Sequence, residues 1–553
     1  MALPIVLGGA LLLMYGAREM SVPLSRVVQT PISLSPRALP GYALQTTFRM
    51  LVAMLASLLF TFTYGTLAAK SRRLGPFLIA VLDILQSVPI LGFLSFALLL
   101  LIDIVPGSAI GAELAAIFAI FTSQAWNMAF SFYQSLRTVP DDLKEASRAF
   151  HLTAWLRFWR LEVPFAVPGL VWNMMMSMSG GWFFVVASEA ITAGGAEVLL
   201  PGIGSYVATA IAARSLPAIG WAIVAMLVVI GLYDQLVFRP LVTWAAKFPF
   251  EETESEVQPR SWLLRVWRRS AVSRAMIAPL GRLGQRALLV GAPRRDGTRM
   301  HRPGREAFFD TTWLLVLTAG VLGGGYALVT YLGAGLGWEE ARHVAWLGGL
   351  TLIRVFVLIV LASLIWVPAG VAIGLRPRLA QRVQPLIQFL AAFPANLLFP
   401  LVVAGIVHFK LSPNIWLSPL MILGAQWYVL FNVIAGAQAL PTDLQQVGAS
   451  LQVGGWLWWK RIALPAVFPY FVTGAITASG GAWNASIVAE IVTWGDVTLV
   501  GNGLGAYITQ ATVAGDHPRL VLGIAMMSAY VVSFNFIFWR PLYARAERRF
   551  RIG

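Results

Sequence analysis

Long, unbroken apolar runs constrain this chain more than any other feature. Leu44–Ala69, Ala109–Ser135, Phe165–Ile191, Pro217–Phe238, Val344–Ile373, Ala466–Val492 and Val521–Phe538 are the clearest of them. A bilayer core of about 30 Å is crossed by about 20 apolar residues in a helix. Lipid offers the backbone no hydrogen-bond partners, so a spanning segment is either a helix or part of a closed barrel. The runs are continuous rather than alternating, which selects helices. Hydrophobic residues make up 58% of the 553 positions, more than an ordinary soluble domain carries.

Weaker runs complete the pattern. Ala2–Ala17 is short and lacks the basic start and clear cleavage site of a signal peptide, so it reads as a first span. Arg18–Pro40 is a proline-rich connector. Phe77–Ile104 is a third span interrupted by Pro89, and Thr312–Tyr331, Val383–Val407 and Ile415–Ala437 add three more. The expectation is an all-α polytopic membrane protein of about twelve helices. Basic residues follow alternate spans: Lys70, Arg72 and Arg73, then Arg239 and Lys247, then Arg376, Arg378 and Arg382, then Arg548, Arg549 and Arg551. The positive-inside rule puts these ends, and both termini, in the cytoplasm. The net charge of +16 is therefore a topology signal rather than a nucleic-acid footprint. There is no cysteine, hence no disulfide and no thiol chemistry.

The expected organisation is a first half over 1–250, a linker over 251–310 and a second half over 311–553. The linker opens acidic and then carries twelve arginines against one acid between Arg260 and Arg305. It reads either as a helix lying on an anionic inner leaflet or as a basic tether.

The halves repeat each other. Asp141–Pro168 reads DDLKEASRAFHLTAWLRFWRLEVPFAVP, and Thr442–Pro469 reads TDLQQVGASLQVGGWLWWKRIALPAVFP. Pro140 and Pro441, Trp155 and Trp456, Arg160 and Arg461, Pro164 and Pro465, and Pro168 and Pro469 all share an offset of 301 residues. With an even number of spans per half, the repeats lie parallel, related by a pseudo-twofold along the membrane normal. Acids after a proline favour a helix start in each loop. Pro164 and Pro465 are expected to break the helix, so that the next span leaves at an angle.

Both loops resemble E-A-A-x3-G-x9-I-x-L-P, the loop motif of binding-protein-dependent ABC importer permeases. Glu145, Ala146 and Ser147, then Leu161, Val163 and Pro164, occupy it in the first copy. Gln446, Val447 and Gly448, then Ile462, Leu464 and Pro465, do so in the second. His151 and Gln452 stand where the motif has glycine. The resemblance covers nearly the whole chain outside the linker. Mid-loop tryptophans and the late glutamate of the next span are most similar to the nitrate, sulfonate, bicarbonate and taurine branch. It implies two type I permease halves fused in one inner-membrane protein. It further implies two ATP-binding subunits inside, which would hold the ATP and Mg, and a substrate-binding protein outside. The chain itself would bind no cofactor, and it has no G-x-x-x-x-G-K-[ST] phosphate cradle. Asp142, Glu145, Ala146, His151 and Pro164, with Asp443, Gln446, Gly448, Gln452 and Pro465, would couple the chain to the ATPases.

Charged positions inside the spans also pair between halves. Arg49 corresponds to Arg354 and Glu189 to Glu490, all toward the outer side. They read either as an Arg–Glu ion pair in each half or as a ring of charge lining the substrate path, where arginines attract an anion. Asp83 falls opposite Gln388, and Asp234 opposite Asn535. The outer segments Pro201–Tyr206 and Asn502–Tyr507 correspond and read either as close helix packing or as a protein or substrate contact made by the tyrosines; the small-residue stretches around Trp182 and Trp483 read as close packing near a gate.

These readings give an ATP-driven importer permease for a small anion: nitrate, a sulfonate, bicarbonate or an organic carboxylate. The direction of transport follows from the family alone. The alternative is a twelve-helix secondary transporter driven by an ion gradient, which leaves the matched loops unexplained. Five histidines and no clustered His/Asp set speak against a membrane enzyme.

Overall fold

The computed structural model describes residues 31–248 and 318–550, apart from residues 72, 73, 88, 89, 107, 194, 195, 246, 321 and 334. The expected first span and the linker lie outside those residues. The expected seventh span lies partly outside them and is helical over 322–333.

The first half runs α1 (Pro36–Lys70), α2 (Leu74–Ser87), α3 (Ile90–Ile104), α4 (Ile110–Arg137), a loop helix α5 (Asp141–Ala149) and α6 (Ala154–Glu189). A hairpin of β1 (Ala190–Ala193) and β2 (Ala196–Leu199), a short helix α7 (Ile203–Ala212) and α8 (Leu216–Ala245) follow. The second half repeats the order with α9 (Trp338–Gly374), α10 (Pro377–Ala392), α11 (Ala395–His408), α12 (Pro413–Met421), α13 (Gln426–Gln438) and the loop helix α14 (Thr442–Ser450). It closes with α15 (Gly455–Ala489), β3 (Ile491–Trp494), β4 (Val497–Val500), α16 (Leu504–Ala514) and α17 (His517–Ala546). Among the described residues seven helices are long and apolar enough to cross a membrane. Two bent pairs, α10 with α11 and α12 with α13, bring the number to nine.

Local chemistry explains the boundaries. α8 starts where Ser215 accepts from the Ala218 N–H and Pro217 takes the first turn. α17 starts in the same way with Asp516, Arg519 and Pro518. Copies differ where the residues differ. α4 is unbroken, whereas its counterpart bends by 44° between α12 and α13. Pro419 and Gly424 sit there in place of Phe118 and Ser123, removing a backbone donor and helix propensity.

The break expected at Pro164 and Pro465 does not occur. α6 and α15 run through both prolines, and a π turn precedes each, over Phe158–Glu162 and Trp459–Ala463. The wider turn absorbs the hydrogen bond that proline cannot donate. The second part of each loop, from Ala154 and from Gly455, is therefore one helix with the following span.

Lipid gives helices no hydrophobic reason to associate, so close packing holds the bundle. The first half packs around Met50, Ile120, Phe132, Trp182 and Tyr206, and the second around Val355, Val429, Trp483 and Met527. The halves interlock. Leu91, Leu94 and Leu98 of α3 belong to the second half's core, while Phe389 and Leu397 pack into the first.

Candidate functional site

At one end of the bundle the two loops stand side by side in sequence design. α5 and α14 are nine-residue helices. α5 ends with the Leu152 N–H donating to the Ser147 carbonyl and the His151 N–H to that of Arg148. α14 ends with the Val453 N–H donating to Gly448. This double-bonded helix end needs a residue of positive φ one place beyond the cap. His151 and Gln452 supply it, each at φ 50°. The turn that glycine normally makes is thus made without glycine, at a cost of about 1–2 kcal/mol each. Asp142, Glu145 and Ala146 are exposed on α5, and Asp443, Gln446 and Gln452 on or beside α14, while Gly448 is buried against the side chain of Ile462. Loop one is also tied back to α1: Lys70 reaches Glu162 at 2.6 Å, and Arg157 reaches the same carboxylate at 3.3 Å. Loop two has Ala463 at the position of Glu162.

At the other end lie two buried charge clusters. Fully buried Arg49 holds Glu113 through two parallel bonds of 2.6 Å and Glu189 through one of 2.7 Å, and its fourth N–H donates to the Pro201 carbonyl. Thr46 donates to Glu189 at 2.7 Å, and the Gly204 N–H donates to the other carboxylate oxygen at 2.7 Å. Glu189 thereby caps the N-terminus of α7, where backbone donors are otherwise orphaned. The second half repeats the device with fewer parts. Arg354 meets Glu490 at 3.1 Å, Thr351 donates to Glu490 at 2.8 Å, and the Gly505 and Ala506 N–H groups cap α16 onto it. Asn414 stands at Glu113's position and accepts from the Asn502 N–H instead. The Arg354 side chain is 15% exposed. Glycine is required at 202 and 503, because a Cβ on either would overlap the Glu189 or Glu490 carboxylate.

Both expected Arg–Glu pairs therefore form, and each binds the end of a span to the short helix after it. Tyr206 and Tyr507 of the matched outer segments turn inward, donating to the Leu34 carbonyl and to Glu340, both at 2.9 Å. Asp234 pairs with Arg239 at 3.2 Å.

The hairpins were not foreseen from sequence. Each pairs antiparallel, Ala190 with Leu199 and Ile491 with Val500. The tip of the second crosses to the other half. The Gly495 N–H donates to the Ile211 carbonyl at 3.1 Å, and Asp496 pairs with Arg214 at 2.8 Å. The signal was present: Gly495-Asp496 between β-branched runs is a two-residue turn.

Between these ends the halves enclose a cavity of about 210 Å³. α6 contributes Ser179 and Gly180, α15 Thr477 and Asn484, α4 Thr122 and Asn127. Asn535, the counterpart of Asp234, also faces it, and no charged side chain lines it among the described residues. Three bonds cross beside it among the described residues: the Ile90 N–H to Asn484 at 2.8 Å, the Ser179 hydroxyl to the Ala391 carbonyl, and the Asn396 amide to the Phe183 carbonyl at 3.1 Å.

The family described as "Binding-protein-dependent transport system inner membrane component" matches residues 61–239 and again 366–551. The chain is similar to the nitrate import permease protein NrtB of Leptolyngbya laminosa, 28% identical over 190 residues, covering 34% of this chain and 62% of that protein. It is similar to the bicarbonate transport system permease protein CmpB of Synechococcus elongatus, 28% identical over 180 residues, covering 32% of this chain and 62% of that one. The CmpB of a Synechocystis strain is 29% identical over 170 residues, 31% of this chain and 57% of the relative. The chain thus spans about three fifths of the length of these curated relatives.

Proposed function

Because the chain belongs to the binding-protein-dependent transport system inner membrane components, we propose that it is the fused double permease of an ABC importer for a small anion. The observation that carries this reading is the pair of loop helices. Two exposed nine-residue helices, ended alike by a left-handed turn at His151 and Gln452, are each joined by a short turn to a span that runs on past its proline without a break. A rigid lever of that kind transmits a push from outside the membrane rather than absorbing it. The basic ends of the spans put the loops, and both termini, in the cytoplasm. Two ATP-binding subunits, holding ATP and Mg, seat α5 through Asp142, Glu145, Ala146 and His151, and α14 through Asp443, Gln446 and Gln452, while Gly448 lets α14 pack closely on Ile462. Pro164 and Pro465 then pass the motion on through their π turns. Residues 251–310 serve as the tether between the halves 1–250 and 311–553.

A substrate-binding protein delivers to the hairpin end. The path runs past the Arg49–Glu189 and Arg354–Glu490 clusters, which hold its outer wall, into the central cavity. There the side-chain amides of Asn127 and Asn535 meet the ion, while the hydroxyls of Thr122, Ser179 and Thr477 donate to backbone carbonyls. Neutral donors bind an anion without holding it too long, as transport requires. Relatives named for nitrate and bicarbonate support the substrate class, with sulfonates and organic carboxylates of the same chemistry. An ion-gradient mechanism needs unpaired buried charges in the central part of the path; the cavity is lined by no Asp, Glu, His, Lys or Arg among the described residues, and the carboxylates of the outer wall are held by arginines.

The test is reconstitution of the chain with its ATP-binding subunits and binding protein in vesicles, with nitrate, bicarbonate, a sulfonate and an organic carboxylate as substrates. At least one should raise ATP hydrolysis several-fold and enter the vesicle. Uptake that ignores ATP and collapses with an ion gradient would establish the alternative.

A further inference from the structure

The spans that follow the two loops, α6 and α15, are bridged at their far ends. α6 ends in Glu189, whose carboxylate accepts from the Gly204 N–H and so holds the start of α7. α15 leads through Glu490 into the β3–β4 hairpin. The tip of that hairpin rests on the end of α7. There the Gly495 N–H donates to the Ile211 carbonyl at 3.1 Å, and the Arg214 guanidinium donates to Asp496 at 2.8 Å. The approach is close, since a Cβ on Gly495 would overlap the Arg214 side chain. The charged pair occurs once. Gly515 stands at the place of Arg214, and Gly195 at that of Asp496, both at the repeat offset of 301 residues. Arg214 and Gly515 share a left-handed backbone, at φ 50° and 67°. Glycine takes that conformation freely, whereas a residue with a Cβ is strained in it. The chain keeps the strained residue at the copy whose side chain reaches the other half. Strain retained in this way points to a function.

We propose that Arg214 and Asp496 form a one-sided latch of the transport cycle. The pair holds the hairpin ends of α6 and α15 together in this structure, and it must open before the halves part there to admit the ion. This rests on the importer reading above. Both are positioning residues: neither lines the central cavity, and each acts through the span to which its element is tied. The latch is weak enough to open. The Arg214 side chain is 48% exposed and that of Asp496 97%, and exposed ion pairs hold by little. A weak contact made in one conformation only shifts the balance between two conformations without freezing it. Because α6 and α15 begin at the loops, loosening their far ends eases the movement of both levers.

The experiment uses the full chain assembled in vesicles with its ATP-binding subunits and binding protein. R214A and D496A should each raise ATP hydrolysis measured without binding protein or anion by about two- to five-fold, the range an exposed ion pair can supply. Thermal unfolding should stay where it was. The charge exchange R214D with D496R should bring hydrolysis back toward the parent rate, a rescue that a merely structural role would not give. Because the chain has no cysteine, R214C with D496C can be joined by a short reducible cross-linker. The joined protein should stop importing and resume once the linker is cut. Import at full rate while joined, or hydrolysis unchanged in both single variants, overturns the latch and leaves the importer reading standing. Uptake by the unjoined protein without ATP overturns the importer reading itself.

Discussion

Arg49 and Arg354 hold equivalent places with unequal partners. Arg49 is fully buried among two carboxylates and a carbonyl, whereas Arg354 has one carboxylate and some access to solvent. Removing one partner of a buried pair strands the other and costs about 3–5 kcal/mol. Arg49→Met should therefore destabilise the detergent-solubilised protein by about that amount, and Arg354→Met by distinctly less. Thermal unfolding of the two variants side by side measures the difference, and equal losses would argue against the geometry. The helix ends give a prediction of opposite sign. His151→Gly and Gln452→Gly relieve a left-handed residue and should each strengthen their loop by roughly 1 kcal/mol, read as slower amide exchange in α5 and α14. At this scale the pairing of Arg with Glu was legible in the shared spacing. Glu113 was not, because nothing in the second half matches it: Asn414 stands in its place.

α6 and α15 show what proline does in a helix with room to adjust. Reading Pro164 and Pro465 as breaks followed from the missing donor, but the π turn supplies slack one turn earlier and keeps each lever whole. The lever of loop one is stiffened further by Glu162, which Lys70 and Arg157 share. Glu162→Ala removes a carboxylate that is largely buried between Lys70 and Arg157, so on the proposed function it should leave ATP-binding subunits attached yet lower the anion imported per ATP hydrolysed. Unchanged coupling with this variant would show that loop one needs no anchor on α1. The hairpins escaped notice because four-residue strands beside long apolar runs give little periodic signal. The long spans and the loop helices were plain because length, charge and the repeat pointed to the same elements.

Across the whole molecule the halves meet through helices that pack against both cores. α3 packs into the second core, and Phe389 and Leu397 pack into the first. A protease site placed within residues 251–310 should allow cutting without separation, so that both fragments elute together on gel filtration in detergent. Separation on cutting would mean that the interlocking contacts are too weak to hold the assembly. The repeat made the two-half architecture legible. The inequality of the halves, in the charge clusters and in the Lys70–Glu162–Arg157 contacts, emerges only once equivalent positions are seen in place.

The central claim is that both loops are gripped by ATP-binding subunits, and the absence of cysteine makes it directly measurable. Single cysteines introduced by E145C, Q446C and, as a control at the far end, D496C would be cross-linked in the assembled complex. Efficient cross-links to ATP-binding subunits from E145C and Q446C, and none from D496C, is the predicted result. A complex active in transport in which neither loop position reaches an ATP-binding subunit would contradict it.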